Sequence, residues 1–162
     1  MKKIKLKSTL LLGMLVITGS HVTTALAHTT TGESLLASKG TGATEIFRVD
    51  CSLDSGAASN SPTDKLYIAI SDGNPTGGMF TATAAVYAPG LAKAITVIDT
   101  TGANGPGTGG TVSVITPGQQ DVSFFVTVNH TAAANETFAL DYHCQDAAGN
   151  HTGTAITKLQ NN

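Results

Sequence analysis

The two cysteines, Cys51 and Cys144, constrain the fold of this 162-residue chain more than any other feature. Each lies in a segment whose apolar and polar residues alternate, and a period of two is typical of a β-strand with one buried face. Residues 45–53 place Cys51 on their apolar side, and residues 137–144 place Cys144 on theirs. Two inward-facing cysteines on separate strands predict one disulfide across the core of a β-sandwich.

The amino end of the chain predicts export. Four lysines precede a short apolar run, and Ala-Leu-Ala at residues 25–27 matches a signal-peptide cleavage site. We therefore expect a signal peptide at residues 1–27, a mature chain beginning at His28, and a secreted protein, extracellular or periplasmic. An oxidising compartment favours a disulfide over a metal site or catalytic thiol as the use of two cysteines. The apolar run is shorter than the roughly 20 residues of a transmembrane helix, so no membrane span is expected.

Removal of residues 1–27 would change the charge of the chain. It would leave five basic residues against eleven acidic ones, a formal net charge of −6. An acidic domain with scattered lysines disfavours nucleic acid and anionic membranes as partners. The remaining length fits one domain with a single core.

Strand-like segments follow one another along the mature chain, separated by Gly, Pro and Asn turn signals. Parallel sheets need long crossover segments, usually helical, and the sequence contains no clear helical period. We therefore expect an all-β, antiparallel sandwich of about eight strands over residues 44–162. The expected strands are 45–53, 65–71, 79–87, 93–99, 111–115, 121–128, 137–144 and 153–159.

Two segments lack this alternation. Residues 28–43 are rich in Thr, Gly and Ser, with a small apolar patch at Leu35 and Leu36. They predict an N-terminal tail that is either flexible or donated as a strand to the open sheet edge of a neighbouring molecule. Residues 100–110 are rich in glycine and predict a mobile loop.

Two short motifs resemble immunoglobulin-like domains. Tyr142-His143-Cys144 is similar to their Tyr-x-Cys, and residues 146–150 (DAAGN) resemble the last hairpin of bacterial immunoglobulin-like modules. The resemblance implies an immunoglobulin-like sandwich in which the Tyr142 hydroxyl bonds back to the nearby corner. The chain has no Trp, the residue that usually packs on the disulfide there. Our main expectation is a non-enzymatic secreted domain without a cofactor. It would serve extracellular assembly, adhesion or surface binding, with a protein, a cell-surface ligand or another copy as partner.

Copper binding is the alternative function. Cleavage after Ala27 would leave His28 with a free α-amine beside its imidazole, and amine and imidazole nitrogens suit Cu(II). The arrangement resembles bacterial copper-carrier sandwiches and lytic polysaccharide monooxygenases. His143 and His151 are the candidate partners of His28, whereas His130 is expected at the opposite end of the sandwich. The competing interpretation is that these are scattered surface histidines.

An aspartic protease is a further candidate, because Asp54-Ser55-Gly56 resembles the Asp-Thr/Ser-Gly of those enzymes. Two such carboxylates must share a proton to activate water, so a chain of this size would have to dimerise. Asp-Ser-Gly is also an ordinary turn after a strand.

Calcium is a further candidate ligand, since oxygen ligands from several acidic loops could bind it. Acidic loops are also often simply solvated. The candidate residues are Asp50, Asp54, Asp72, Asp99 and Asp146.

Three Asn-x-Thr sequons indicate exposed turns and leave glycosylation open. Their asparagines are Asn129, Asn135 and Asn150.

Overall fold

The computed structural model describes most of the chain after residue 27. The described residues are 28–53, 61–73, 79–88, 91–99, 107, 109–113, 121–132 and 134–161. The expected signal peptide, Asp54 and most of the glycine-rich segment 100–110 lie outside these ranges.

Nine strands and one 3₁₀ helix are present in the described residues. In chain order they are β1 (His28–Leu35), the 3₁₀ helix (Ala37–Gly42), β2 (Thr44–Ser52), β3 (Lys65–Asp72), β4 (Phe80–Ala88), β5 (Leu91–Asp99), β6 (Gly110–Ser113), β7 (Val122–His130), β8 (Glu136–Gln145) and β9 (Gly153–Gln160). The expected all-β fold is confirmed. Within the described ranges, no helix is long and apolar enough to cross a membrane.

The strands form two antiparallel sheets that enclose one core. One sheet has the order β1-β8-β3-β6 and the other has the order β5-β4-β7-β2-β9. Alternate residues of each strand face inward, as the period of two predicts. Four phenylalanines are almost completely buried at the centre, together with aliphatic residues from both sheets. They are Phe47, Phe80, Phe124 and Phe138.

The Cys51–Cys144 disulfide joins the two sheets. Cys51 lies on β2 and Cys144 on β8, with their Cα atoms 5.7 Å apart, and both residues are buried. That separation is within the usual range for a disulfide. The bond predicted from the two alternating segments is confirmed.

The strands around the disulfide pair partly as in the immunoglobulin sandwich. There the B strand lies beside E and C lies beside F; here β2 lies beside β7 and β3 beside β8. The terminal strands differ, because β1 lies beside β8 and β9 beside β2. The segment 146–150 forms a tight turn that is closed by an antiparallel bridge between Gln145 and His151. Both edges of β8 are paired, with β1 and β3, and β9 continues beside β2 in the other sheet.

Residues 28–43 form β1 and the 3₁₀ helix, where the sequence predicted a flexible or strand-donating tail. The conformation is extended, but the sheet edge that β1 covers belongs to its own chain. Leu35 anchors the end of the strand, since its side chain is fully buried. Lys158 of β9 forms an ion pair with Glu33, so β1 is also tied to the opposite sheet.

Candidate functional site

The start of β1, the last residues of β8 and the turn after β8 place His28, His143 and His151 at one end of the sandwich. β1 runs antiparallel to β8 and places His28 opposite Tyr142, one residue before His143. His151 follows the turn between the sheets and bridges back to Gln145 at the end of β8. The rings of His143 and His151 stack with their centroids 4.2 Å apart, and the His28 ring lies 5.8 Å from that of Tyr142. His143 and His151 are therefore in contact, whereas His28 is the register partner of Tyr142, whose side chain lies on the opposite face of β8 from His143.

His143 faces away from Cys144, as the alternation of β8 predicts, but it is not exposed. Tyr67, its register partner on β3, stacks on one side with ring centroids 4.5 Å apart, and His151 covers the other side. Only 8% of His143 is accessible to solvent. The interpretation of these residues as scattered surface histidines is therefore wrong for His143, and also for the buried His130.

Sequence reasoning did not select Tyr67, the third ring of this stack. The sequence pattern could have identified it, because Tyr67 is an aromatic residue on the polar side of β3, between the fully buried Leu66 and Ile68. Gly109 lies against the Tyr67 ring, because a Cβ on this glycine would come within 2.0 Å of the hydroxyl oxygen. The absence of a side chain at residue 109 therefore makes room for the tyrosine.

The turn that carries His151 is held by its own hydrogen bonds. The Asp146 carboxylate accepts hydrogen bonds from the backbone N and from Nδ2 of Asn150, at 2.8 and 3.0 Å. Gly149 has φ +91°, a conformation that favours glycine. Beyond the turn, Thr152 N donates to the Cys144 carbonyl at 2.9 Å. His151 is thereby fixed beside the end of β8.

Burial lowers the pKa of both stacked imidazoles. Burial, with a smaller contribution from the neighbouring His151, lowers the pKa of His143 to about 4, although the Asp141 carboxylate acts in the opposite direction. Burial and then the charge of His28 also lower the pKa of His151. Among the described residues, no hydrogen-bond partner reaches Nδ1 of His143, which is buried. A neutral imidazole with an unpaired ring nitrogen is the form that binds a transition metal.

The imidazole nitrogens are suitable donors for copper, but the present side-chain positions do not form a metal site. Within the described part of the chain, no three His, Cys, Asp or Glu side chains are arranged to hold a metal ion. The His143 and His151 planes are only 12° from parallel, so the two rings cannot direct lone pairs at one ion without a rotation. His151 is the more exposed of the two residues.

His130 lies away from these residues, between the end of β7 and the start of β8. Its Nδ1 is 3.3 Å from a carboxylate oxygen of Glu136, and both side chains are fully buried. The Phe80 ring covers the imidazole at a centroid distance of 5.8 Å. His130 is thus packed into the core and takes no part in the histidine cluster.

Of the described acidic residues considered for calcium, Asp72 and Asp99 lie together, whereas Asp50 and Asp146 have other hydrogen-bond partners. Asp50 bonds Arg48 and Ser123, Asp99 accepts a hydrogen bond from Asp72 N, and Asp146 caps its own turn. Asp54, the candidate protease residue, lies outside the described ranges.

The three sequon asparagines all take part in local hydrogen bonds. Asn129 accepts from the Thr81 hydroxyl, Asn135 accepts from the backbone N of Ala37, and Asn150 donates to Asp146. Asn135 and Asn150 are exposed and Asn129 is partly exposed.

Comparisons with protein-family models, with curated proteins and with solved structures gave no match to this chain.

Proposed function

We propose that this protein is an exported Cu(II)-binding β-sandwich whose metal ligands are the α-amine and imidazole of His28, with His143 and His151. The observation that carries the proposal is the contact of His143 with His151 at the end of the sandwich where His28 begins β1.

The chemistry of the cluster supports copper in particular. Nitrogen donors suit Cu(II), which binds more tightly than the other divalent ions of its series. Burial lowers the pKa of His143 to about 4 and also lowers the pKa of His151, which favours the neutral rings that bind a metal. Bound copper would supply a redox-active or transferable ion. The residues of this chain would hold it, exclude water on the Tyr67 side, and present it at the sandwich end.

Copper titration of the protein beginning at His28 tests the proposal. The chain has no Trp, so the emission of its tyrosines is the natural reporter, and Tyr67 and Tyr142 contact the histidines. We expect one Cu(II) per molecule to quench this emission. We expect His28→Ala to weaken binding by about 100-fold, which corresponds to about 2.7 kcal/mol.

The matched control is His130→Gln, which removes the buried histidine that packs beside Glu136 and Phe80 and should leave copper affinity unchanged. Thermal unfolding of each variant shows whether it is folded. A wild-type protein that does not bind copper tightly, or a His28→Ala variant that binds it as the wild type does, would contradict the proposal.

Self-assembly or adhesion is the second candidate function, and the outer face of the five-stranded sheet favours it. Phe125 is 45% exposed on β7, in register with Ala85 on one side and Arg48 on the other. Arg48 is paired with Asp50 at 2.9 Å, which reduces the charge of this part of the face. An exposed aromatic residue among small and paired side chains is a suitable contact for a second copy.

Sedimentation of the wild type and of Phe125→Ser tests this second candidate. We expect reversible dimerisation of the wild type that Phe125→Ser weakens by about tenfold, or about 1.4 kcal/mol. Met79→Ser is the matched control, because Met79 is equally exposed but precedes β4 at the end of the sheet. A wild type that remains monomeric at high concentration would remove the proposal.

A further inference from the structure

β1 consists of two parts separated by a bulge. The register of its pairing with β8 shifts between Thr30 and Glu33, and Gly32 adopts φ +75°. A β-bulge bends a strand and re-aims the side chains beyond it, and the positive φ favours glycine. The part from Glu33 to Leu35 is anchored by a buried leucine and by the ion pair with Lys158. The part that carries His28 lies on the other side of the bulge from both anchors.

The part of β1 from His28 to Thr30 has its own attachments to β8. The Thr29 hydroxyl donates a 2.5 Å hydrogen bond to the Asp141 carboxylate, and the two residues are direct register partners. Leu140 N donates a longer bond, 3.4 Å, to the Thr30 hydroxyl. The short bond accepted by a carboxylate is the stronger of the two, since charge-assisted hydrogen bonds are roughly twice as strong as neutral ones.

Asp141 also faces His143. The two residues are two positions apart on β8, so their side chains lie on the same face of the sheet. Burial lowers the pKa of His143, and the nearby Asp141 carboxylate acts in the opposite direction. Asp141 thus contacts the segment that carries His28 and lies beside His143.

We infer that Asp141 is a positioning residue that fixes His28 relative to His143 through its hydrogen bond to Thr29. This inference rests on the proposed copper function and adds to it a residue that is not a ligand. Without the bond, the segment beyond the bulge would sample more orientations, and copper binding would have to order it first. Partners that orient metal ligands typically contribute about 10- to 100-fold to metal affinity.

The test compares four variants of the protein beginning at His28. Thr29→Val removes the donor while keeping the shape of the side chain, and Asp141→Ala removes the acceptor. We expect each to lower Cu(II) affinity by about tenfold, and the double variant to lower it no further, because both remove one interaction. Thr29→Ser retains the hydroxyl and should bind copper as the wild type does.

Thr31→Val is the matched control, because Thr31 is exposed in the bulge and lies outside the pairing register. The electron paramagnetic resonance spectrum of bound Cu(II) provides a second readout. We expect a broader range of copper environments in Thr29→Val but not in Thr31→Val. Thermal unfolding of the copper-free variants confirms that each is folded.

The outcomes distinguish the positioning role of Asp141 from copper binding itself. If His28→Ala abolishes tight binding while Thr29→Val keeps the affinity and spectrum of the wild type, the role of Asp141 is overturned and the copper site stands. Additive losses in the double variant overturn that role as well. If the wild type binds no copper tightly, the proposed function falls and the positioning role falls with it.

Discussion

Reduction of the Cys51–Cys144 disulfide is expected to lower the free energy of unfolding by about 4–5 kcal/mol, the chain-entropy value for a loop of roughly 100 residues. The cysteines are 93 residues apart, and their bond joins one sheet to the other across the core. Strands β3 to β7 lie between them in sequence, so the loop that it closes includes most of the core. Urea unfolding with and without a reductant measures the difference.

A Cys51→Ala/Cys144→Ala variant is the control for side effects of the reductant. It should be destabilised by a similar amount, plus a smaller loss from the removed sulfur atoms, and it should be insensitive to reductant. Equal urea midpoints for the oxidised and reduced wild type would contradict the stabilising role of the bond.

Replacement of Lys158 by Met is expected to lower the free energy of unfolding by about 3 kcal/mol at neutral pH. The Lys158 ammonium lies 3.2 Å from the fully buried Glu45 carboxylate, and it also pairs with Glu33. Removal of one partner from a buried pair costs about 3–5 kcal/mol, and the partial exposure of Lys158 favours the lower end of this range. The Phe47 ring, 5.5 Å from the ammonium, would lose a favourable contact too.

The loss of unfolding free energy in Lys158→Met should increase with pH. Burial is the main cause of the raised pKa of Glu45, and the bond to Lys158 opposes it. A carboxyl group with a raised pKa in the folded state stabilises that state below its unfolded pKa, near 4.5, and loses this contribution as the pH rises through the folded value. Lys158→Met removes the opposing cation, so its destabilisation should be smallest near pH 4 and grow toward pH 7.

A double-mutant cycle with Glu45→Gln separates the charge effect from packing. Glu45→Gln/Lys158→Met should be more stable at pH 7 than Lys158→Met alone, because it leaves no buried carboxylate without a cation. Chemical denaturation of the four proteins at pH 4 and pH 7 provides the measurement. Lys158 would contribute through packing alone if Lys158→Met lowered the free energy of unfolding equally at both pH values and Glu45→Gln did not change that loss.

The sequence could predict the sandwich and its disulfide because both depend on local alternation. β2 and β8 each place a cysteine on the apolar side, and that side becomes the core in the structure. The same alternation placed Glu45 among inward-facing residues. It could not show which cation compensates for this carboxylate, since Lys158 is 113 residues away and arrives through the pairing of β2 with β9.

The pairing of the terminal strands could not be predicted from local pattern. β1 is polar except for its anchor at Leu35, and it contains a bulge that interrupts the period of two. β9 has a clear pattern, but its partner depends on which edges of β8 are already occupied. The pairing partner of a strand is determined by tertiary structure, because strand propensity does not specify a neighbour.

The surroundings of the candidate histidines could be predicted only in part. The position of His28 after an expected cleavage site and the outward direction of His143 were both legible in the sequence. The burial of His143 was not, because it depends on the register of Tyr67 across from it and on the turn that brings His151 over it. Each of these contacts joins elements that are separate in sequence.

The α-amine of His28 provides the most direct test of copper binding. We would compare Cu(II) affinity and the electron paramagnetic resonance spectrum of the protein beginning at His28 with those of the same protein carrying one extra glycine before His28. The extension keeps every side chain and removes only the amine of the histidine. We expect affinity to fall by about 100-fold, or about 2.7 kcal/mol, and the spectrum to change. Equal affinity and identical spectra for the two proteins would contradict an amine-ligated copper site.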